Sequence, residues 1–139
     1  MEDLKLTYEV DGDDISRAGE ASRAVKNVLK QLNFPSNIIR KVSICMYEGE
    51  INMVIHADGG VIDVIVDEAS ITMILKDKGP GIKDIDKAMQ EGWSTASAEA
   101  REMGFGAGMG LPNMKRSCDE FNIETELNVG TTVTMKLFI

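Results

Sequence analysis

Glu48 and Asn52 stand four residues apart, a spacing that on a helix places both side chains on one face, one turn apart. A carboxylate so placed can orient or deprotonate a nucleophile. An amide oxygen one turn away can ligate magnesium, which prefers oxygen donors. His56 falls one further turn along the same face. A second group is Asp77-Lys78-Gly79-Pro80-Gly81-Ile82. There an aspartate ending an apolar strand can face a cleft while the glycines let the backbone turn close beneath a ligand; opposite an adenine edge, it would accept a hydrogen of the exocyclic amine. A third is Gly104-Phe105-Gly106-Ala107-Gly108-Met109-Gly110. Glycines at alternate positions leave backbone amides open, and the following helix N-terminus attracts anions, so the segment reads as a phosphate cradle. It has neither the Gly-Lys-Ser/Thr end of a Walker A loop nor the dinucleotide spacing. The fourth, Gly130-Thr131-Thr132, is a turn entering a β-branched strand. Each group has a plain reading beside the chemical one: a solvated polar stripe, a capped loop, a flexible loop, a turn.

The elements that must position these groups follow from hydrophobic period. Leu4, Leu6, Tyr8 and Val10 alternate with polar residues and predict a half-buried strand. The run Asp11-Gly12-Asp13-Asp14 ends it and offers a cap to a helix over 15–32, whose apolar residues recur at helical spacing. Asn33-Phe34-Pro35 breaks that helix, and Ser36 is the expected N-cap of a second, over 36–57. This second helix is apolar around most of its circumference, which predicts burial and requires partners for its polar groups. Gly49 in its middle costs about 1 kcal/mol against alanine; a close ligand, a close strand or plain packing would each explain it. Strands over 61–66 and 71–76 form a hairpin through Asp67-Glu68-Ala69-Ser70. A short helix over 84–90, a mobile loop over 92–106, a helix over 110–119 and a last strand pair over 121–127 and 132–139 complete the order. Hairpins alternating with helices predict an α+β two-layer α/β sandwich, with helices on one face of a mixed, mostly antiparallel sheet.

Bulk properties set outer bounds. At 139 residues the chain suits one domain over 1–139, large enough to bury roughly two thirds of its unfolded surface. A net charge of −8 repels nucleic-acid backbones and anionic lipids, so neither is an expected partner. A phosphate-bearing ligand must then be held by local amides, a cation or a metal. No apolar run nears the ~20 residues of a membrane span, and the acidic N-terminus is not a signal peptide. Two cysteines, Cys45 and Cys118, lie far apart in sequence and beside nine methionines, which suits a reducing cytoplasm.

Taken in order, Glu48 and Asn52, then Asp77-x-Gly79-x-Gly81, then a Gly-rich lid, then Gly130-Thr131 resemble the GHKL superfamily of gyrase, heat-shock chaperones, histidine kinases and mismatch-repair proteins. The resemblance runs from the first strand to Ile139. It is nearest to bacterial anti-sigma-factor serine/threonine kinases of the RsbW and SpoIIAB type and to the RsbT-like switch kinase. Glu91-Gly92-Trp93-Ser94-Thr95, Gly108-Met109-Gly110-Leu111-Pro112 and Lys115-Arg116 with Asp119-Glu120-Phe121 look like the last. Gly49-Glu50-Ile51 departs from the family pattern, and residues 97–103 lengthen the lid.

The resemblance implies a Bergerat-type ATP-binding fold. It implies that Glu48 is the general base, that Asn52 holds Mg2+ bridging the ATP phosphates, and that Asp77 binds the adenine amine. Gly79 belongs to the same adenine loop, Gly81 would leave room for the base, and Thr131 would help through a water. Gly106, Gly108 and Gly110 would cover the phosphates, with Arg101, Lys115 and Arg116 as lid cations or plain surface residues. The implied activity is phosphorylation of a STAS-type anti-sigma-factor antagonist in a partner-switching circuit, with sequestration of a sigma factor as a further role. Relatives often dimerise; the sequence leaves homodimerisation open. A histidine kinase is disfavoured, because the single histidine lies inside the ATP helix and no helical dimerisation segment is present. The alternative activity is a nucleotide-gated binding module that holds a partner without catalysis.

Overall fold

A computed structural model describes residues 3–12, 15–57, 59–82, 89 and 110–139. The expected helix at 84–90 (apart from residue 89), the loop at 92–106, Arg101, Gly106 and Gly108 lie outside those residues. Five strands form one sheet: β1 (Leu4–Asp11), β2 (Gly59–Val66), β3 (Ser70–Asp77), β4 (Glu120–Glu126) and β5 (Gly130–Phe138), in the order β1-β2-β3-β5-β4. Among the described residues all four pairings are antiparallel, so the expected mostly antiparallel sheet shows no parallel pair there. The β2–β3 turn is the predicted one. Asp67 accepts from the Ala69 and Ser70 amides at 2.8 and 2.7 Å, an aspartate-anchored turn.

Register follows from alternation. In β2 the residues Ile62, Val64 and Val66 are buried, in β3 Ile71, Met73 and Leu75, and in β5 Val133, Met135 and Leu137. These belong to one core with residues of the helices α1 (Glu20–Gln31), α2 (Ser36–His56) and α3 (Gly110–Ser117). Residues between them face the opposite side of the sheet, where Asp63 accepts from the Thr7 hydroxyl across β1 and β2. A two-layer arrangement results.

Two helix starts differ from expectation. Residues 15–17 form a 3-10 turn, and α1 begins only at Glu20, because Gly19 takes φ +102 and turns the chain there. The α2 cap is Pro35, not Ser36, which is already helical. Proline has no N–H to satisfy, and its carbonyl accepts from the Ile38 and Ile39 amides at 3.1 Å. The end of α1 is as the sequence predicts. Asn33 adopts φ +61, its N–H donates to Lys30, and the Phe34 N–H donates to Leu29, the paired bonds of a Schellman stop.

Gly49 also finds its reason. A Cβ there would collide with Leu75 Cδ2 of β3 and lie 3.5 Å from Met114 Sδ of α3. A close strand therefore sits against the middle of α2, and packing explains the glycine.

Candidate functional site

The α2 helix carries two glutamates two residues apart with different surroundings. Glu50 is buried, with 3% of its surface exposed. Its carboxylate accepts from the Ala21 amide at 3.2 Å, the Ser22 amide at 3.0 Å and the Ser22 hydroxyl at 2.8 Å. These are the first turn of α1, whose own cap, Gly19, has no side chain to offer. Glu50 caps α1 from a neighbouring helix, and its negative charge faces the positive end of that helix. Sequence reasoning marked Gly49-Glu50-Ile51 only as a departure; the contact spans 28 residues and leaves no local signal.

Glu48 is half-buried and differently placed. Burial pushes its carboxyl above the ordinary glutamate range, and a hydrogen bond from Asn113 of α3 opposes the rise in part. Asn113 Oδ1 in turn accepts from Arg116, one turn along α3, at 2.5 Å. One turn from Glu48, Asn52 faces the start of α3. A Cβ at Gly110 would lie 3.1 Å from Asn52 Nδ2 and 3.2 Å from both Asn52 Oδ1 and Glu48 Oε2. Glu48, Asn52 and Gly110 thus meet at one point, with space that only glycine leaves. His56, further along, is mostly buried, and that burial lowers its tendency to take a proton. Asn113 was not anticipated; its place three residues into α3 gave no cue without the crossing of α2 and α3.

A second cluster lies at the end of β3. Asp77 Oδ1 accepts from the Gly79 amide at 2.9 Å and the Thr131 amide at 3.0 Å. Its other oxygen, Oδ2, accepts no hydrogen bond from the described residues. Thr131 is buried, and its hydroxyl lies 2.9 Å from that of Thr125, which accepts from the Ile82 amide at 2.9 Å. This network fixes the 77–82 loop against the β4–β5 hairpin. Thr125, absent from the sequence-based set, is therefore a supporting residue. Gly81 has φ +83, and a Cβ there would lie 2.7 Å from Glu126 O; the hairpin requires that glycine whatever lies on its other side. Gly79 is pressed against the end of α2, where a Cβ would lie 2.6 Å from Ala57 Cβ. The Leu75 contact at Gly49 and the Gly79 contact at Ala57 tie the β3 end to the Glu48–Asn52 helix.

Of the lid cations considered, Lys115 is exposed and Arg116 bonds Asn113. Cys45 and Cys118, far apart in sequence, are neighbours in the fold; both are free thiols, and they donate to the Met114 and Lys115 carbonyls. Among the described residues no group of three or more His, Cys, Asp and Glu could hold a metal ion by itself, and no helix is long and apolar enough to cross a membrane.

Known proteins are similar to this chain over most of its length. The serine/threonine-protein kinase RsbT of Bacillus subtilis is 32% identical over 112 residues, spanning 78% of each chain. An anti-sigma F factor of Caldanaerobacter subterraneus is 31% identical over 144 residues, covering 100% of this chain and 94% of its own. Among solved structures, the SiaB-SiaC complex from Pseudomonas aeruginosa shares the fold, with a TM-score of 0.54 at 14% identity over 96% of this chain and 89% of that one. Residues 13–137 match the family described as the histidine kinase-like ATPase domain, and the chain belongs to that family.

Proposed function

We propose that residues 1–139 act as one ATP-dependent protein serine/threonine kinase domain of an anti-sigma-factor partner-switching system, phosphorylating a STAS-type antagonist protein in the cytoplasm. The observation that carries this reading is the meeting of Glu48 and Asn52 at Gly110, with burial holding the Glu48 carboxyl basic for its type. The names of the relatives, a serine/threonine kinase and anti-sigma F factors, support it.

In this reading Asp77 Oδ2 accepts from the adenine amine, while Oδ1 is kept by Gly79 and Thr131. Asn52 fits a magnesium ion: its amide oxygen is a hard donor, and magnesium commonly takes few protein ligands and completes its shell with substrate phosphates and water. The ion would supply charge neutralisation on the phosphates. Glu48 takes the proton of the acceptor hydroxyl as that oxygen bonds the γ-phosphorus and the bond to the ADP oxygen breaks. Transfer of this kind rests on positioning and electrostatics more than on covalent work by the protein. The sigma-factor contact and a homodimer belong to the same proposal.

The test is incubation with labelled ATP, magnesium and STAS-type antagonists, followed by mapping of the labelled residue. A single phosphoserine or phosphothreonine, lost with Glu48→Gln, is expected. Partner binding and release that survive Glu48→Gln in full, with no label transferred by the parent chain, would instead mark a nucleotide-gated binding module.

A further inference from the structure

In a chain of net charge −8, residues 20–47 carry Arg23, Lys26, Lys30, Arg40 and Lys41 against one carboxylate, Glu20. Three of these cations, Lys26 and Lys30 of α1 and Arg40 of α2, line a groove of about 480 Å³ between the two helices. None of the three forms an ion pair among the described residues. The α2 side of the groove includes the stripe Arg40, Ser43, Ile44, Tyr47 and Glu48, spaced by the three and four residues that share a helix face. Ile44 and Tyr47 are exposed at 36% and 37%, so the groove joins an apolar floor to a cationic rim.

The stripe ends on Glu48. The phosphate-side group, Asn52 with Gly110, lies one turn beyond it toward the C-terminus of α2. The attacking and leaving oxygens of a phosphoryl transfer stand roughly in line on opposite sides of the phosphorus. A hydroxyl arriving along the groove reaches Glu48 from the side away from Asn52 and leaves the Asn52 side for the phosphates.

We propose that this groove seats the hydroxyl-bearing segment of the acceptor protein, and that the segment is acidic. The inference rests on the kinase reading for the word acceptor, and on charge and shape for the word acidic. Nucleic acid is the less suitable polyanion, because the rest of the chain carries the excess negative charge and repels an extended phosphate backbone. A short acidic segment meets only the local cations, while an apolar residue beside the hydroxyl can rest on Ile44 and Tyr47 in the manner of an interface anchor.

The probe is a fluorescein-labelled short peptide with a central serine flanked by aspartate, glutamate and leucine. It is compared with a matched peptide carrying lysine and arginine in place of the acids. Binding is read by anisotropy with the full chain and with Lys26→Glu/Lys30→Glu/Arg40→Glu, whose sites are exposed or at the groove rim and whose folding is checked by circular dichroism. The acidic peptide should bind, weaken with added salt, and lose roughly tenfold or more in affinity in the triple variant, since three attractions become repulsions. Its amide shift changes in the parent chain should centre on residues 26–30 and 40–48. Equal binding of the two peptides, equal affinity of parent and variant, or shifts centred elsewhere would overturn the proposal. So would a labelled single-stranded oligonucleotide that binds more tightly than the acidic peptide and is lost in the same variant. Magnesium–ATP calorimetry on both proteins separates the two readings. An unchanged nucleotide affinity with lost peptide binding supports the groove; absent nucleotide heat with retained acidic-peptide selectivity removes the kinase reading and leaves an acidic-segment site.

Discussion

Glu48 and Glu50 are the same residue type on the same helix, two positions apart, and the fold uses them in opposite ways. Glu50 is buried and receives three hydrogen bonds from the first turn of α1. Glu48 is half-buried, faces Asn52 and Gly110, and has one amide partner, Asn113. Two residues turn a helix by about 200°, so one carboxylate serves packing and the other is left available for chemistry. A carboxylate whose oxygens are already engaged by three donors is not free to reach for a substrate hydroxyl. A carboxylate desolvated and sparsely bonded is a better base. The fold thus separates the carboxylate that holds α2 in place from the one proposed to do chemistry.

The largest effect that tests the contrast is on rate. Glu48→Gln should lower phosphotransfer by about 10²–10⁴-fold, the usual worth of a general base, while nucleotide affinity stays within a few-fold by calorimetry. The same substitution should leave the melting temperature unchanged or slightly raised. The sign follows from the raised carboxyl. The stability tied to protonated Glu48 is fully present below the unfolded glutamate pKa and is lost as pH rises through the folded value. At neutral pH the ionised side chain is a burden on the fold that glutamine removes.

Glu50→Ala should do the reverse. It strips the α1 amides and the Ser22 hydroxyl of their acceptor and should cost about 2–3 kcal/mol by denaturant titration, with turnover per folded molecule little changed. A rate loss in Glu50→Ala as large as that in Glu48→Gln, at full folding, would erase the distinction. The smallest effect is on pH dependence. As the proposed general base Glu48 must be deprotonated, so activity should fall as pH drops through a pKa above the ordinary glutamate range. Asn113→Ala removes the bond that opposes the shift and should move that acid limb to higher pH, read from a pH–rate profile.

The strands and the helix ends were legible where the signal is local. Alternation at Leu4, Leu6, Tyr8 and Val10 predicted β1, and Asn33-Phe34-Pro35 predicted the stop of α1, because period and turn chemistry act over a few residues. The start of α1 was misplaced because an amphipathic pattern continues through residues 15–19 while Gly19 breaks the geometry with φ +102. The Pro35 cap was missed because Ser36 carries the commoner capping side chain. In the site, Glu48, Asn52, Asp77, Gly79, Gly81, Gly110 and Thr131 were named from motif order, and the structure brings Glu48, Asn52 and Gly110 together and separately joins Asp77, Gly79 and Thr131. Glu50, Asn113 and Thr125 were not named, since each acts through a partner remote in sequence or on a separate element. The nearness of Cys45 and Cys118 was hidden for the same reason.

The central claim is that one nucleotide site joins the β3 end to the Glu48 face of α2, with binding assigned to Asp77 and chemistry to Glu48. Calorimetric titration of magnesium–ATP into the parent chain, Glu48→Gln and Asp77→Ala tests it most directly. The account predicts matching heats and affinities for the first two and at least about a tenfold loss, some 1.4 kcal/mol, for Asp77→Ala. Asp77→Ala binding as tightly as the parent, or no heat with any of the three, would contradict it.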